Sequence, residues 1–159
     1  MNLSSQVVKF TTACSTDNSV PKYPRPMSPD RIRFVTRMII SELMELATTV
    51  TDDPVTFVQE CIKTDLPRKY TGTSDIDKLA YQLDACVDIL YYLGDSAARD
   101  GINLDPGFTE VHAANMNKIG PDGKVIRRED GKIMKPPGWQ EPDIHKVVER
   151  QMKEGSWNL

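Results

Sequence analysis

The chain predicts an all-α fold, a core of antiparallel helices followed by a C-terminal extension. Two observations carry this. Apolar residues recur at helical spacing through residues 28–50 and 74–99, each stretch opened by a helix-start signal. The connections between these roughly 20-residue helices are short, which favours antiparallel packing. With 159 residues the chain is long enough for one domain with a real core.

In chain order, residues 5–13 form a short helix carrying Val7, Val8 and Phe10, and residues 14–27 a Ser-, Pro- and Asn-rich loop. Ser28-Pro29-Asp30 starts a helix, with Ser as N-cap, Pro at the first position and an acid in the first turn. Ile32, Val35, Ile39, Leu43, Leu46 and Val50 give it an apolar stripe. Asp53-Pro54 opens a shorter helix that stops before Pro67. Ser74-Asp75-Ile76-Asp77 resembles a capping box with Asp in place of Glu, and the helix it opens runs to about Arg99 with Gly101 as its stop. This helix is apolar on most sides, so it is expected to be largely buried, with Cys86 as a small core residue. Asp105-Pro106 opens a further helix through about Asn117. Beyond it, two turns (120–123 and 129–132) frame the short strands of a small hairpin, Lys124–Ile126 and Ile133–Met134. Pro142 starts a terminal helix that ends near Gly155. The expected organisation is an N-terminal segment (1–27), a helical bundle (28–118) and an extension (119–159) packing on the bundle or on a partner subunit.

A net charge of −3 without a Lys/Arg block argues against nucleic acid or an anionic membrane as partner. No apolar run approaches the ~20 residues that span a bilayer, and the N-terminus lacks the pattern of a signal peptide. Three cysteines without C-x-x-C spacing fit reduced thiols in the cytoplasm.

Two acid pairs interrupt the apolar stretches: Glu42/Glu45 in Ile39–Leu46 and Asp84/Asp88 in Leu83–Leu90. Residues three and four apart share a helix face, so each pair projects together. Unpaired buried carboxylates are costly, so four of them facing one another in a dry interior need cations between them. All the donors are hard oxygens, which selects Mg²⁺, or Mn²⁺, over Zn²⁺. Such a cluster suits phosphoanhydride hydrolysis. The plain reading, an acid pair as the solvated face of a helix, applies more readily to Glu42/Glu45. No Lys or Arg lies between residues 79 and 98 to partner Asp84 and Asp88.

The order Glu42-x-x-Glu45, then an Asp pair ending in Asp88-Ile89-Leu90-Tyr91-Tyr92, is similar to the all-α nucleoside triphosphate pyrophosphohydrolases, the superfamily of MazG and the dimeric dUTPases. Glu110-Val111-His112-Ala113-Ala114-Asn115-Met116-Asn117-Lys118 and Asp130-Gly131-Lys132-Ile133-Met134-Lys135-Pro136-Pro137 resemble its phosphoribosyl-ATP pyrophosphohydrolase-like (MazG-like) branch. The resemblance covers about residues 28–144. It implies a four-helix bundle, a homodimer or homotetramer, and Mg²⁺-dependent cleavage of a nucleoside triphosphate or related phosphoanhydride between the α- and β-phosphates, giving a nucleoside monophosphate and pyrophosphate. The metal ligands carry over to Glu42, Glu45, Asp84 and Asp88, and the phosphate contacts to Asn115 and Lys118. Two departures stand out: Ser41 replaces a frequent first acid, and the second motif is D-x-x-x-D where many members have E-x-x-D.

On this reading Glu45, or Glu42, is the general base for an attacking water, and Lys118 steadies the departing pyrophosphate. Tyr81 shares the helix face of Asp84 and Asp88 and is the candidate to stack on a nucleobase, its plain reading being a core or interface aromatic. Lys132 and Lys135 read equally as phosphate contacts and as surface charges. His112 reads as structural, His145 as exposed, and Trp139 and Trp157 as packing anchors. Two other functions stand beside this one: a non-catalytic nucleotide or metal binder of the same fold, favoured by Ser41, and a helical interaction module whose acids are surface features.

Overall fold

The computed structural model describes residues 3–15, 19–62, 70–130 and 132–157, the side chains of residues 3–5 excepted. Among the described residues all regular structure is helical: α1 (Leu3–Cys14), α2 (Pro29–Ala47), α3 (Pro54–Ile62), α4 (Asp75–Arg99), α5 (Leu104–Met116) and α6 (Ile144–Glu154).

The local signals do what their chemistry requires. The Ser28 hydroxyl accepts from the Arg31 N–H at 3.2 Å and caps α2. An Asp53 carboxylate oxygen accepts from the Thr56 N–H at 3.0 Å and caps α3. The end of that helix region, from residue 63 to Pro67, lies outside the described residues. Before α4 the capping box is complete: the Ser74 hydroxyl accepts from the Asp77 N–H at 3.1 Å, and the Asp77 carboxylate accepts from the Ser74 N–H at 3.0 Å. At the other end of α4, Gly101 takes φ 72°. There the Ile102 N–H reaches the Ala97 carbonyl at 2.8 Å and the Gly101 N–H reaches that of Ala98 at 3.0 Å. These two bonds close a Schellman motif, which needs the left-handed conformation that glycine adopts freely.

Three expectations change. α5 starts one residue earlier than Asp105-Pro106 implied, because Asn103 is its N-cap, accepting from the Asp105 N–H at 3.0 Å. The expected hairpin is reduced to one antiparallel bridge, Arg127 with Ile133, held by Arg128 N–H to the Lys132 carbonyl (2.9 Å) and Met134 N–H to that of Ile126 (2.8 Å). The largest change concerns α4, which has no buried residue. Cys86 is exposed, and so are Leu83, Val87 and Leu90. The physical reason is that the main helix packings among the described residues are α2 with α3, α1 with α5 and α5 with α6, and none of these three covers α4.

The chain divides into two compact units, residues 23–86 and residues 1–22 with 87–159. In the first, α2 packs on α3, Ala47 is buried, and the Met27 N–H donates to the Gln82 side-chain oxygen at 2.9 Å. In the second, α5 is the hub, with Ala114 buried. The Gln151 side-chain oxygen accepts from the Asn103 N–H at 2.9 Å, and its amide nitrogen donates to the Asn103 carbonyl at 2.9 Å, tying α6 to the start of α5. No helix among the described residues is long and apolar enough to cross a membrane.

Candidate functional site

α2 carries Glu42 and Glu45 one turn apart, and α4 carries Asp84 and Asp88 one turn apart, as the helical spacing requires. All four are exposed, not in the dry interior the sequence led us to expect. Among the described residues none of the four joins an ion pair or a hydrogen bond beyond the helix backbone, so their oxygens are open to a ligand. No three His, Cys, Asp or Glu side chains among the described residues stand together as a metal group. The donor chemistry fits Mg²⁺, since every candidate is a hard oxygen and the two members of each pair share a helix face. Mg²⁺ ordinarily completes its sphere with waters and substrate phosphates. Ser41, where the missing acid would stand, is half-buried.

Asp84 is one wall of a cleft of about 360 Å³ lined also by Tyr70, Gly72, Asp77 and Tyr81. The Tyr70 and Tyr81 rings meet edge to face, with centroids 5.4 Å apart. Tyr81 is thus held beside a candidate metal ligand with part of its ring accessible. Tyr70 was invisible to sequence reasoning, because its approach to Tyr81 depends on the fold of the loop at Gly72. The Asp77 carboxylate is consumed by capping, and its hydrogen bonds, from the Ser74 hydroxyl first and then the Ser74 and Thr73 N–H groups, hold its pKa below the usual carboxylate value.

The phosphate candidates lie at the end of α5. The Lys118 ammonium donates to the Asn115 side-chain oxygen at 2.7 Å, so these two act as one group. Lys118 also sits 5.5 Å from the centre of the Trp139 ring, and Lys135 sits 4.3 Å from it. The indole N–H donates to the Ala114 carbonyl at 2.6 Å, pinning the ring to α5. Trp139 is therefore the packing anchor its position suggested, whereas Trp157 is exposed. Burial pushes the Lys118 pKa down, the charges of Lys135 and Lys132 push it further, and Cys14 opposes them. Arg127 donates to the Cys14 carbonyl, bringing the extension onto α1.

The remaining candidates take plain places. His112 stacks on Phe108 with centroids 6.4 Å apart, and His145 is exposed beside Glu149.

The model of the family described as phosphoribosyl-ATP pyrophosphohydrolase matches residues 16–115. That span contains both acid pairs, Tyr81 and Asn115. No curated protein sequence matches the chain. Among solved structures, one from Exiguobacterium sp. 255-15, of a protein provisionally assigned as an NTP pyrophosphohydrolase, is 30% identical. The match covers 97% of this chain and 98% of that one, with a TM-score of 0.76. The all-α fold is shared with that structure over nearly the whole length.

Proposed function

Since the chain belongs to the phosphoribosyl-ATP pyrophosphohydrolase family and is a nucleotide pyrophosphohydrolase, we propose that it cleaves a nucleoside triphosphate between the α- and β-phosphates, releasing a nucleoside monophosphate and pyrophosphate. The observation that carries this reading is the pair of unpartnered carboxylate couples, Glu42/Glu45 and Asp84/Asp88, inside the segment matched by the family model. On this reading these carboxylates would hold Mg²⁺, which when bound would supply charge neutralisation on the phosphates and a more acidic water. Glu45 accepts the proton of the attacking water at its carboxylate. The Lys118 ammonium, oriented by Asn115, meets the charge that develops on the departing pyrophosphate. Tyr81 offers the accessible part of its ring to the base.

The working form on this reading is an assembly of copies of the chain, a homodimer or homotetramer. The apolar side chains of α4 that stay exposed among the described residues support it, as does the apolar groove of about 610 Å³ beside α2 and α3. Three cysteines outside any disulfide suit a reducing compartment, the cytoplasm.

The test is product analysis with Mg²⁺ and a panel of nucleoside triphosphates. Pyrophosphate and monophosphate should appear in equal amounts, and Glu45→Gln should lower kcat on the order of a hundredfold or more. Release of inorganic phosphate in place of pyrophosphate would overturn the bond assignment. Nucleotide binding without turnover on any substrate would leave the non-catalytic binder.

A further inference from the structure

The extension contributes more cationic side chains than its packing uses. Lys135 and Lys118 both approach the Trp139 ring, at 4.3 Å and 5.5 Å. Lys132 leaves the same short stretch three residues before Lys135, beside the Arg127–Ile133 bridge and with its carbonyl bonded to the Arg128 N–H at 2.9 Å. Like charges gathered this way repel one another. Lys118 is hydrogen-bonded to a neutral amide oxygen, that of Asn115. Lys135 meets Glu141 at 3.2 Å, with both side chains more than half exposed, a pairing weak enough for a stronger anion to displace. The indole fixes the arrangement: its N–H is bonded to the Ala114 carbonyl, and its face attracts the ammonium groups. Backbone geometry adds to this, since the Asp130 carboxylate accepts from the Lys132 N–H at 3.1 Å and sets the turn from which Lys132 departs.

We propose that Lys132 and Lys135 of the extension join Lys118 around Trp139 to form a binding site for a di- or triphosphate group. The inference rests on the proposed pyrophosphohydrolase reading for its ligand, and it adds two substrate-binding residues and an aromatic platform to it. Three ammonium groups suit a group bearing several negative charges better than one bearing a single charge. Two sources share this chemistry, the polyphosphate tail of a nucleotide and free pyrophosphate.

The test uses the full chain carrying Trp157→Phe, which leaves Trp139 as the single tryptophan of the two in the sequence. Titration with inorganic pyrophosphate, with chelator present, should change Trp139 fluorescence. Lys132→Gln with Lys135→Gln should weaken pyrophosphate binding by on the order of tenfold or more. The same pair should raise KM for the nucleoside triphosphate and leave binding of the phosphate-free nucleoside unchanged. Tighter binding of nucleotide than of pyrophosphate assigns the site to the substrate tail, and the reverse order assigns it to the product. Unaltered pyrophosphate affinity in the double variant overturns the inference, as does an equal fluorescence change with potassium chloride at matched ionic strength. Lysine-dependent pyrophosphate binding in a chain that turns over no nucleotide would sink the catalytic reading and leave this site standing. Pyrophosphate binding that does not depend on these lysines, in a chain that turns over nucleotide, would do the opposite.

Discussion

At Gly72 one added carbon decides the shape of the Tyr70–Tyr81 cleft. A Cβ there would stand 2.5 Å from the Asp77 Cβ and 2.5 Å from the Tyr70 hydroxyl oxygen. The first of these atoms sits on the helix backbone and cannot swing away. Gly72→Ala should therefore cost on the order of 1–3 kcal/mol, read by urea unfolding, and should raise KM as Tyr70 leaves Tyr81. A variant of wild-type stability would show that the loop relaxes freely. The carboxyls of Asp53 and Asp77 are both held below the usual carboxylate value, the first chiefly by its hydrogen bonds with Thr56, the second chiefly by the Ser74 hydroxyl. A depressed folded-state pKa adds stability that is complete above the unfolded value, 3.8 for these groups, and is lost as pH falls through the folded one. Thermal unfolding followed from about pH 5 downward should thus show falling stability, and Asp53→Asn with Asp77→Asn should flatten that fall. An unchanged slope in the double variant would assign the loss to other groups.

At the scale of the element, α4 separates what the sequence discloses from what it does not. Its start and stop were legible because capping is local: Ser74, Asp77 and Gly101 find their partners within a few residues. The acid spacing was legible for the same reason, since three and four residues make one helical turn wherever the helix lies. Burial was not legible, because it depends on what packs against the helix, and apolar residues on most sides read as core whether the cover comes from this chain or from another. The place of Tyr70 beside Tyr81 was hidden likewise, and so was the gathering about Trp139 of lysines that the sequence had offered as phosphate contacts or surface charges, since loops with no period bring them together. The exposed apolar residues of α4 yield a prediction. Leu90 is 51% exposed in the single chain. If a second copy covers it, Leu90→Glu places a charge in an apolar interface and should drive the assembly toward the 17.9 kDa monomer, as read by light scattering. A wild-type chain that is already monomeric, or a variant that assembles normally, would remove α4 from the interface.

For the molecule as a whole, metal binding should appear as stability. An ion that binds the folded chain and not the unfolded one stabilises by about 2.7 kcal/mol at a hundredfold excess over Kd. In a domain of this size that corresponds to roughly 5–10 °C in Tm. The acid couples make the sign of the variants informative. Without Mg²⁺, Glu42 beside Glu45 and Asp84 beside Asp88 are like charges one turn apart, each pair destabilising its helix by about 0.2–0.5 kcal/mol. Glu45→Gln and Asp88→Asn should therefore leave the metal-free Tm unchanged or raise it, while abolishing most of the Mg²⁺-dependent rise. Were the acids only the solvated faces of two helices, Mg²⁺ at millimolar levels would move the Tm of the full chain and of both variants equally. Calorimetry in chelator and in Mg²⁺ tells these apart without any substrate, and so tests the metal independently of the bond that the enzyme cleaves.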